Sequence, residues 1–127
     1  MADSRVRSFL NQAWLWAVLY AVLIFLLSSL PGKIAPGPVF RFDLLLHFLE
    51  FAFFGFLLAR TVLADVSRVS LVGCLLVILI GLAYAGLDEW HQSFVPGRLM
   101  ELSDFLADGA GILIGVGAQI WLMKIKR

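Results

Sequence analysis

The sequence predicts an all-α membrane protein in which four transmembrane helices form a compact bundle, with both termini cytoplasmic. Three observations carry this. The 127 residues are 61% hydrophobic and only 15% charged, with a mean hydropathy of +0.95, where a soluble domain has about 25% charged residues. A chain this short leaves much of its surface exposed, so the excess apolar surface needs lipid as its solvent. Four apolar runs also occur, each near the roughly 20 residues that a helix needs to cross a bilayer core of about 30 Å. Finally, Lys and Arg are distributed unevenly between the segments that join these runs.

The first run, about 13–30, lies between Asn11-Gln12 and Pro31-Gly32. Arg5 and Arg7 precede it as in a signal peptide, but the run exceeds a usual h-region and no A-x-A site follows, so a retained first helix is expected. The second helix is expected at about 44–63, the third at 70–87 and the fourth at 105–123. A Pro/Gly-rich loop (Pro31 to Phe42), a short polar one (Ala64 to Val69) and a longer one (Asp88 to Asp104) connect them. With the N-terminus inside, seven basic residues (Arg5, Arg7, Arg60, Arg68, Lys124, Lys126, Arg127) are cytoplasmic and three (Lys33, Arg41, Arg98) are outside. That bias orients the chain and puts both longer loops at the exterior of the cell membrane. Residues 1–127 form a single domain, with no repeat and no low-complexity segment.

Composition also narrows function. A net charge of +1 gives no basic field for nucleic acid, so membrane lipid is the expected surrounding. Cys74, the only cysteine, lies in an apolar run and serves as a small filler, and an intrachain disulfide is impossible. No H-E-x-x-H or comparable metal spacing is present, so metal and cofactor stay open.

The acidic residues are segregated. Asp3 and Asp65 fall on the cytoplasmic side, whereas Asp43, Glu50, Asp88, Glu89, Glu101, Asp104 and Asp108 lie in or beside the two outer loops, together with His47 and His91. Asp43, His47 and Glu50, at i, i+4 and i+7, share one helix face. Tyr84, Asp88 and Gln92 share another if the third helix continues that far, and Asp104 and Asp108 form an i, i+4 pair at the start of the fourth. A charge at the centre of a membrane helix costs about 2.5–3.5 kcal/mol on insertion scales, so these groups should face one another, a cleft or a ligand. Helices two, three and four are therefore expected to converge at their outer ends, with His47, Glu89 and Asp104 in one cleft. Helix one serves mainly as a packing wall. Arg98, the sole basic residue of the third loop, is expected within salt-bridge reach of Glu89, Asp88 or Asp104.

Simpler roles stand beside these. Ser103 or Asp104 can be an N-cap, Asp43 a helix-start acid, His47 an interhelical hydrogen-bonder, His91 an interfacial residue and Arg98 an ordinary loop charge. Gly111 and Gly115 form a small-xxx-small face suited to helix packing.

The run from Asp88 to Arg98, followed by Ser103, Asp104, Asp108 and Gly111, resembles the VanZ-like family pattern DE-x-x-Q-x-F-x-P-G-R, then S-D-x-x-x-N-x-x-G. Asp43 to Phe51 is similar to its D-K-x-x-H-x-x-x-Y element, and Ser29-Leu30-Pro31 to its S-x-P turn, so the resemblance spans nearly the whole chain. Leu44, Phe51 and Asp108 stand where the family has Lys, Tyr and Asn, and the lost Lys and gained Asp make this site more acidic. The resemblance implies a multi-pass membrane protein with an envelope-related role, in a family named after a protein linked to teicoplanin resistance, and it supplies no reaction. Asp43, His47, Asp88, Glu89, Gln92, Arg98, Asp104 and Asp108 are the candidate catalytic or ligand-binding residues. The expected ligand is an envelope lipid, a glycan or a glycopeptide. The alternative is a membrane-embedded hydrolase or transferase acting on a lipid headgroup. Transport is disfavoured, because the cytoplasmic halves of the helices are almost purely apolar. Glu50 and His91 lie outside the family pattern and carry no assigned role.

Overall fold

The structure, a computed structural model, describes residues 4–32, 42–63 and 69–126. Asp3, Lys33, Arg41, Asp65, Arg68 and Arg127 lie outside them. The described residues form four α-helices: α1 (Ser4–Ser28), α2 (Phe42–Val62), α3 (Leu71–Gln92) and α4 (Leu102–Ile125). No strand occurs among them.

Helices α2, α3 and α4 are each long and apolar enough to cross a membrane. In α1 the apolar part is the shorter stretch Gln12–Ser28. The helix nevertheless starts at Ser4, well ahead of the expected residue 13, because the polar lead-in contains no Gly or Pro to stop it. Its other end stops at Ser28, two residues short of the expected 30, and α2 opens at Phe42, two residues before the expected 44. Ser70, expected as the first residue of the third helix, instead caps α3 by accepting from Gly73 N at 3.0 Å. The other end of α3 continues past residue 87 to Gln92, so that Asp88 and Glu89 become helical residues rather than loop residues. Helix α4 opens at Leu102, three residues before the expected 105.

The core centres on Phe51, Leu58 and Leu63 of α2, Ile24 of α1, Val77 and Ala85 of α3, and Ile112 and Val116 of α4. Leu, Val, Phe and Trp side chains cover the outside, with Leu79 62% and Trp121 62% exposed. That distribution suits a lipid surround and would be an aggregation hazard in water.

The closest approach in the bundle is between α2 and α4, and glycine makes it possible. A Cβ on Gly111 would strike Phe48 O and come within 2.8 Å of Ala52 N. One on Gly115 would strike Ala52 O and come within 2.6 Å of Phe56 N. From the other side, a Cβ on Gly55 would meet Ile112 O at 2.7 Å. The small-xxx-small face thus seats backbone on backbone, the geometry that TM helix pairs use where hydrophobic driving force is absent. Helix α1 is held by two phenols: Tyr20 donates to Glu50 O at 3.1 Å, and Tyr84 donates to Ala21 O at 2.5 Å. The Tyr84 hydroxyl is therefore committed to α1, within electrostatic reach of Asp88 and Glu50.

Candidate functional site

The tight α2–α4 contact brings the start of α2 beside the start of α4, and α3 ends at the same level. His47, one turn into α2, is the hub. Its Nδ1 lies 2.9 Å from Asp108 Oδ1 on α4 and 3.8 Å from Glu89 Oε1 on α3, and its Nε2 is 3.6 Å from Asp104 Oδ2. Asp108 is fully buried and Glu89 is 1% exposed. The expected convergence of His47, Glu89 and Asp104 is therefore present, with Asp108 as a fourth member.

Each carboxylate has a distinct job. When ionised, Asp108 is an acceptor, so the 2.9 Å contact then pairs it with a proton on His47 Nδ1 and leaves Nε2 turned toward Asp104. The departure from Asn to Asp at this position supplies a charged acceptor to the imidazole. Glu89 Oε2 accepts from the backbone N–H of Glu101 at 3.3 Å. Glu101 is the N-cap residue of α4 and makes no side-chain cap bond of its own, so a residue of α3 helps satisfy the N-terminus of α4. The remaining oxygens Glu89 Oε1 and Asp108 Oδ2 are buried without a hydrogen-bond partner among the described residues. Asp43 is exposed, Glu101 is half-buried, and each places an oxygen within 4.8 Å of the other and of Asp104. These two lead from the surface to the His47 cluster.

The other site residues form a second thread. Gln92 Nε2 donates to buried Asp88 Oδ2 at 2.9 Å, and Arg98 Nη1 donates to Gln92 Oε1 at 3.4 Å. The ion pair expected for Arg98 is not formed. Its Nε instead donates to Leu30 O at 2.9 Å and its Nη2 to Leu27 O at 3.3 Å. These carbonyls belong to the last turn and exit of α1, where Leu27 O also accepts from Leu30 N at 3.2 Å and a cation meets the negative end of the dipole. The arginine is thus linked by hydrogen bonds through Gln92 to Asp88. Glu50 is half-buried and within electrostatic reach of Asp88, His47, Asp108 and Arg98.

The third loop docks on α1 in the same region. Gly32 N donates to Pro96 O at 3.1 Å, and a Cβ on either Gly32 or Gly97 would strike the other's carbonyl oxygen. Gly97 also has φ +76°, open to glycine and strained for other residues. Ser29 Oγ is 2.6 Å from Phe25 O and 2.9 Å from His91 Nε2, while the His91 ring stacks on Phe25 at 4.5 Å. If the Ser29 hydroxyl donates to Phe25, it accepts from His91 Nε2–H. Sequence reading missed this use of His91, and it also undervalued helix one, which forms one side of the loop's seat. The S-x-P turn was the available signal.

These contacts give the motif residues physical reasons. Gly97 and Arg98 seat the loop on α1, Gln92 links Arg98 to Asp88, and Asp104, Asp108 and His47 build the cluster. A family model described as VanZ/LLP1 matches residues 4–124. The chain belongs to the VanZ/LLP1 family. No curated protein and no solved structure matches it. Where the VanZ-like pattern has Tyr, Phe51 is fully buried and packs edge-on against Phe54 with centroids 6.0 Å apart, so no hydroxyl is called for.

Proposed function

We propose that this VanZ/LLP1 family protein crosses the plasma membrane four times, with both termini in the cytoplasm, and uses the His47 cluster to bind the polar head of a cell-envelope lipid or lipid-linked glycan. The observation that carries the reading is the convergence of His47, Glu89, Asp104 and Asp108 from three helices at one end of an otherwise apolar bundle. Buried carboxylates at a membrane face are expensive unless something satisfies them. The surroundings of the site suit an amphiphile: Trp90, Phe94, Leu99, Met100 and Leu102 are all exposed on the α3–α4 segment. A headgroup rich in hydroxyls or bearing an amine matches the acceptors. A glycopeptide would present similar groups. A groove of about 560 Å³ runs between α1 and α2, lined mainly by apolar side chains such as Trp16, Leu19, Leu23, Phe53 and Leu57 with Arg60 among them, and suits acyl chains.

One observation favours a second reading, hydrolysis or transfer at the headgroup. Asp108 orients His47 through Nδ1, which is how a carboxylate prepares an imidazole for proton transfer at Nε2.

Native mass spectrometry of the protein released from nanodiscs tests both. With envelope lipid extract, the wild type should retain a lipid-linked glycan, and Glu89→Gln and Asp104→Asn should each reduce retention at least about tenfold, roughly 1.4 kcal/mol. Equal retention by all three proteins would overturn the proposal. A water-soluble headgroup product that disappears in His47→Gln would establish the second reading.

A further inference from the structure

We infer that the same cluster is a divalent metal site, with His47 Nε2, Glu89 and Asp104 as ligands and Asp108 as the residue that orients His47. The inference builds on the headgroup reading above by naming what sits between protein and ligand.

Three observations converge. His47, Glu89 and Asp104 each offer a ligand atom, and these atoms lie within 4.8 Å of one another. Two ligands about 2.1 Å from a tetrahedral ion are roughly 3.4 Å apart, and His47 Nε2 and Asp104 Oδ2 are 3.6 Å apart. The second observation is independent of the clustering. Glu89 Oε1 faces the imidazole from its Nδ1 edge, at 3.8 Å, on a residue that is 1% exposed, and has no hydrogen-bond partner among the described residues, while Glu89 Oε2 is already committed to α4. A buried acceptor left open in this way calls for a cation or a water. The third is the Asp108–His47 contact. A ligating histidine commonly gives its other ring N–H to a carboxylate, which fixes the tautomer and aims the free nitrogen at the metal. Here Nδ1 is held by Asp108, and Nε2 is directed at Asp104.

The charge balance points the same way. Three carboxylates surround one imidazole. A divalent ion offsets twice the charge that protonating the ring can offset. One nitrogen and two carboxylate donors suit a first-row transition ion such as Mn²⁺ or Zn²⁺ better than Mg²⁺ or Ca²⁺, which take oxygen ligands. Asp43 and Glu101 would guide the ion from the surface to Asp104. A metal with open positions would also let this acid-lined site accept a phosphate or carboxylate headgroup that the bare carboxylates repel.

The test uses the full chain in lipid-free detergent, stripped with chelator and titrated with Mn²⁺ or Zn²⁺ alone. Calorimetry should show one ion per chain at micromolar affinity or tighter. Pulsed electron paramagnetic resonance of the Mn²⁺ form should show coupling to a histidine nitrogen. His47→Ala should remove that coupling and weaken binding at least 100-fold, and Asp108→Asn should weaken it about 10- to 100-fold. Cys74→Ser and His91→Ala should change neither. Binding weaker than millimolar in the wild type overturns the proposal. So does nitrogen coupling that survives His47→Ala or vanishes in His91→Ala. Should His47→Ala fail to fold, Glu89→Gln binding as tightly as the wild type is an equally contrary result. No lipid is present in this measurement, and the lipid-retention measurement can be run in chelator, so each reading can fail without the other.

Discussion

At the residue scale, Arg98 shows how a motif residue can have a clear role that its sequence neighbourhood does not reveal. Four nearby carboxylates make an ion pair the obvious expectation. The guanidinium goes instead to the end of α1, 68 and 71 residues back in the chain, where Leu30 O and Leu27 O accept from it. A local sequence window contains no sign of those carbonyls. Removing the side chain by Arg98→Ala forfeits three hydrogen bonds, two of them exposed, at about 0.5–1.5 kcal/mol each at most. A stability loss of about 1–2 kcal/mol is expected in reversible detergent unfolding. Arg98→Lys should recover only part of it, since one ammonium cannot reach Leu30, Leu27 and Gln92 in the same fork geometry. Full recovery by Lys would mean that charge alone matters at this position. His47 was more legible. Its i, i+4 relation to Asp43 and its depth in an apolar run pointed inward, although its partner Asp108 became visible only in three dimensions.

At the element scale, the apolar runs located all four helices, whereas their ends were set by contacts that cross between helices. Helix α3 continues through Asp88 and Glu89 because both side chains find partners in the bundle, Asp88 in Gln92 and one oxygen of Glu89 at the start of α4. Composition alone marks such acids as loop residues. The glycine spacing in α4 was readable, and its partner was not. The structure gives it a sharp test. Gly115→Val would drive a side chain into the Ala52 carbonyl and Phe56 N of α2, and backbone cannot yield as a flexible side chain would. Overpacking costs about 1–3 kcal/mol even where neighbours can adjust, so the variant should lose most of its folded population. Gly117→Ala, with nothing within 4 Å of the added carbon, should fold like the wild type. Comparing the two by size-exclusion profile and helical circular dichroism checks the α2–α4 seam. Equal behaviour would mean that these helices pack elsewhere.

At the scale of the whole molecule, family membership and three long apolar helices place the chain in a membrane, and the orientation rests on the Lys/Arg bias of the sequence. In a Cys74→Ser background, an impermeant thiol reagent added to intact cells should label Gly37→Cys and Ser93→Cys and spare Ser67→Cys. The inverse pattern would turn the protein over and put the His47 cluster at the cytoplasmic face. Labelling of Gly37→Cys together with a cysteine placed at Ser4 would show that α1 does not cross. The central claim is that polar residues from different helices act as one site, and a double-mutant cycle measures it. His47→Ala, Asp108→Ala and the double variant would be unfolded reversibly in mixed micelles. Groups in direct contact couple by about 0.5–3 kcal/mol, while separated ones add within about 0.5 kcal/mol. With Nδ1 and Oδ1 2.9 Å apart and Asp108 fully buried, a coupling of at least about 1 kcal/mol is expected, with the double variant less damaged than the two single losses together. Strict additivity would contradict the account, because His47 and Asp108 would then be separate polar residues rather than the centre of one site.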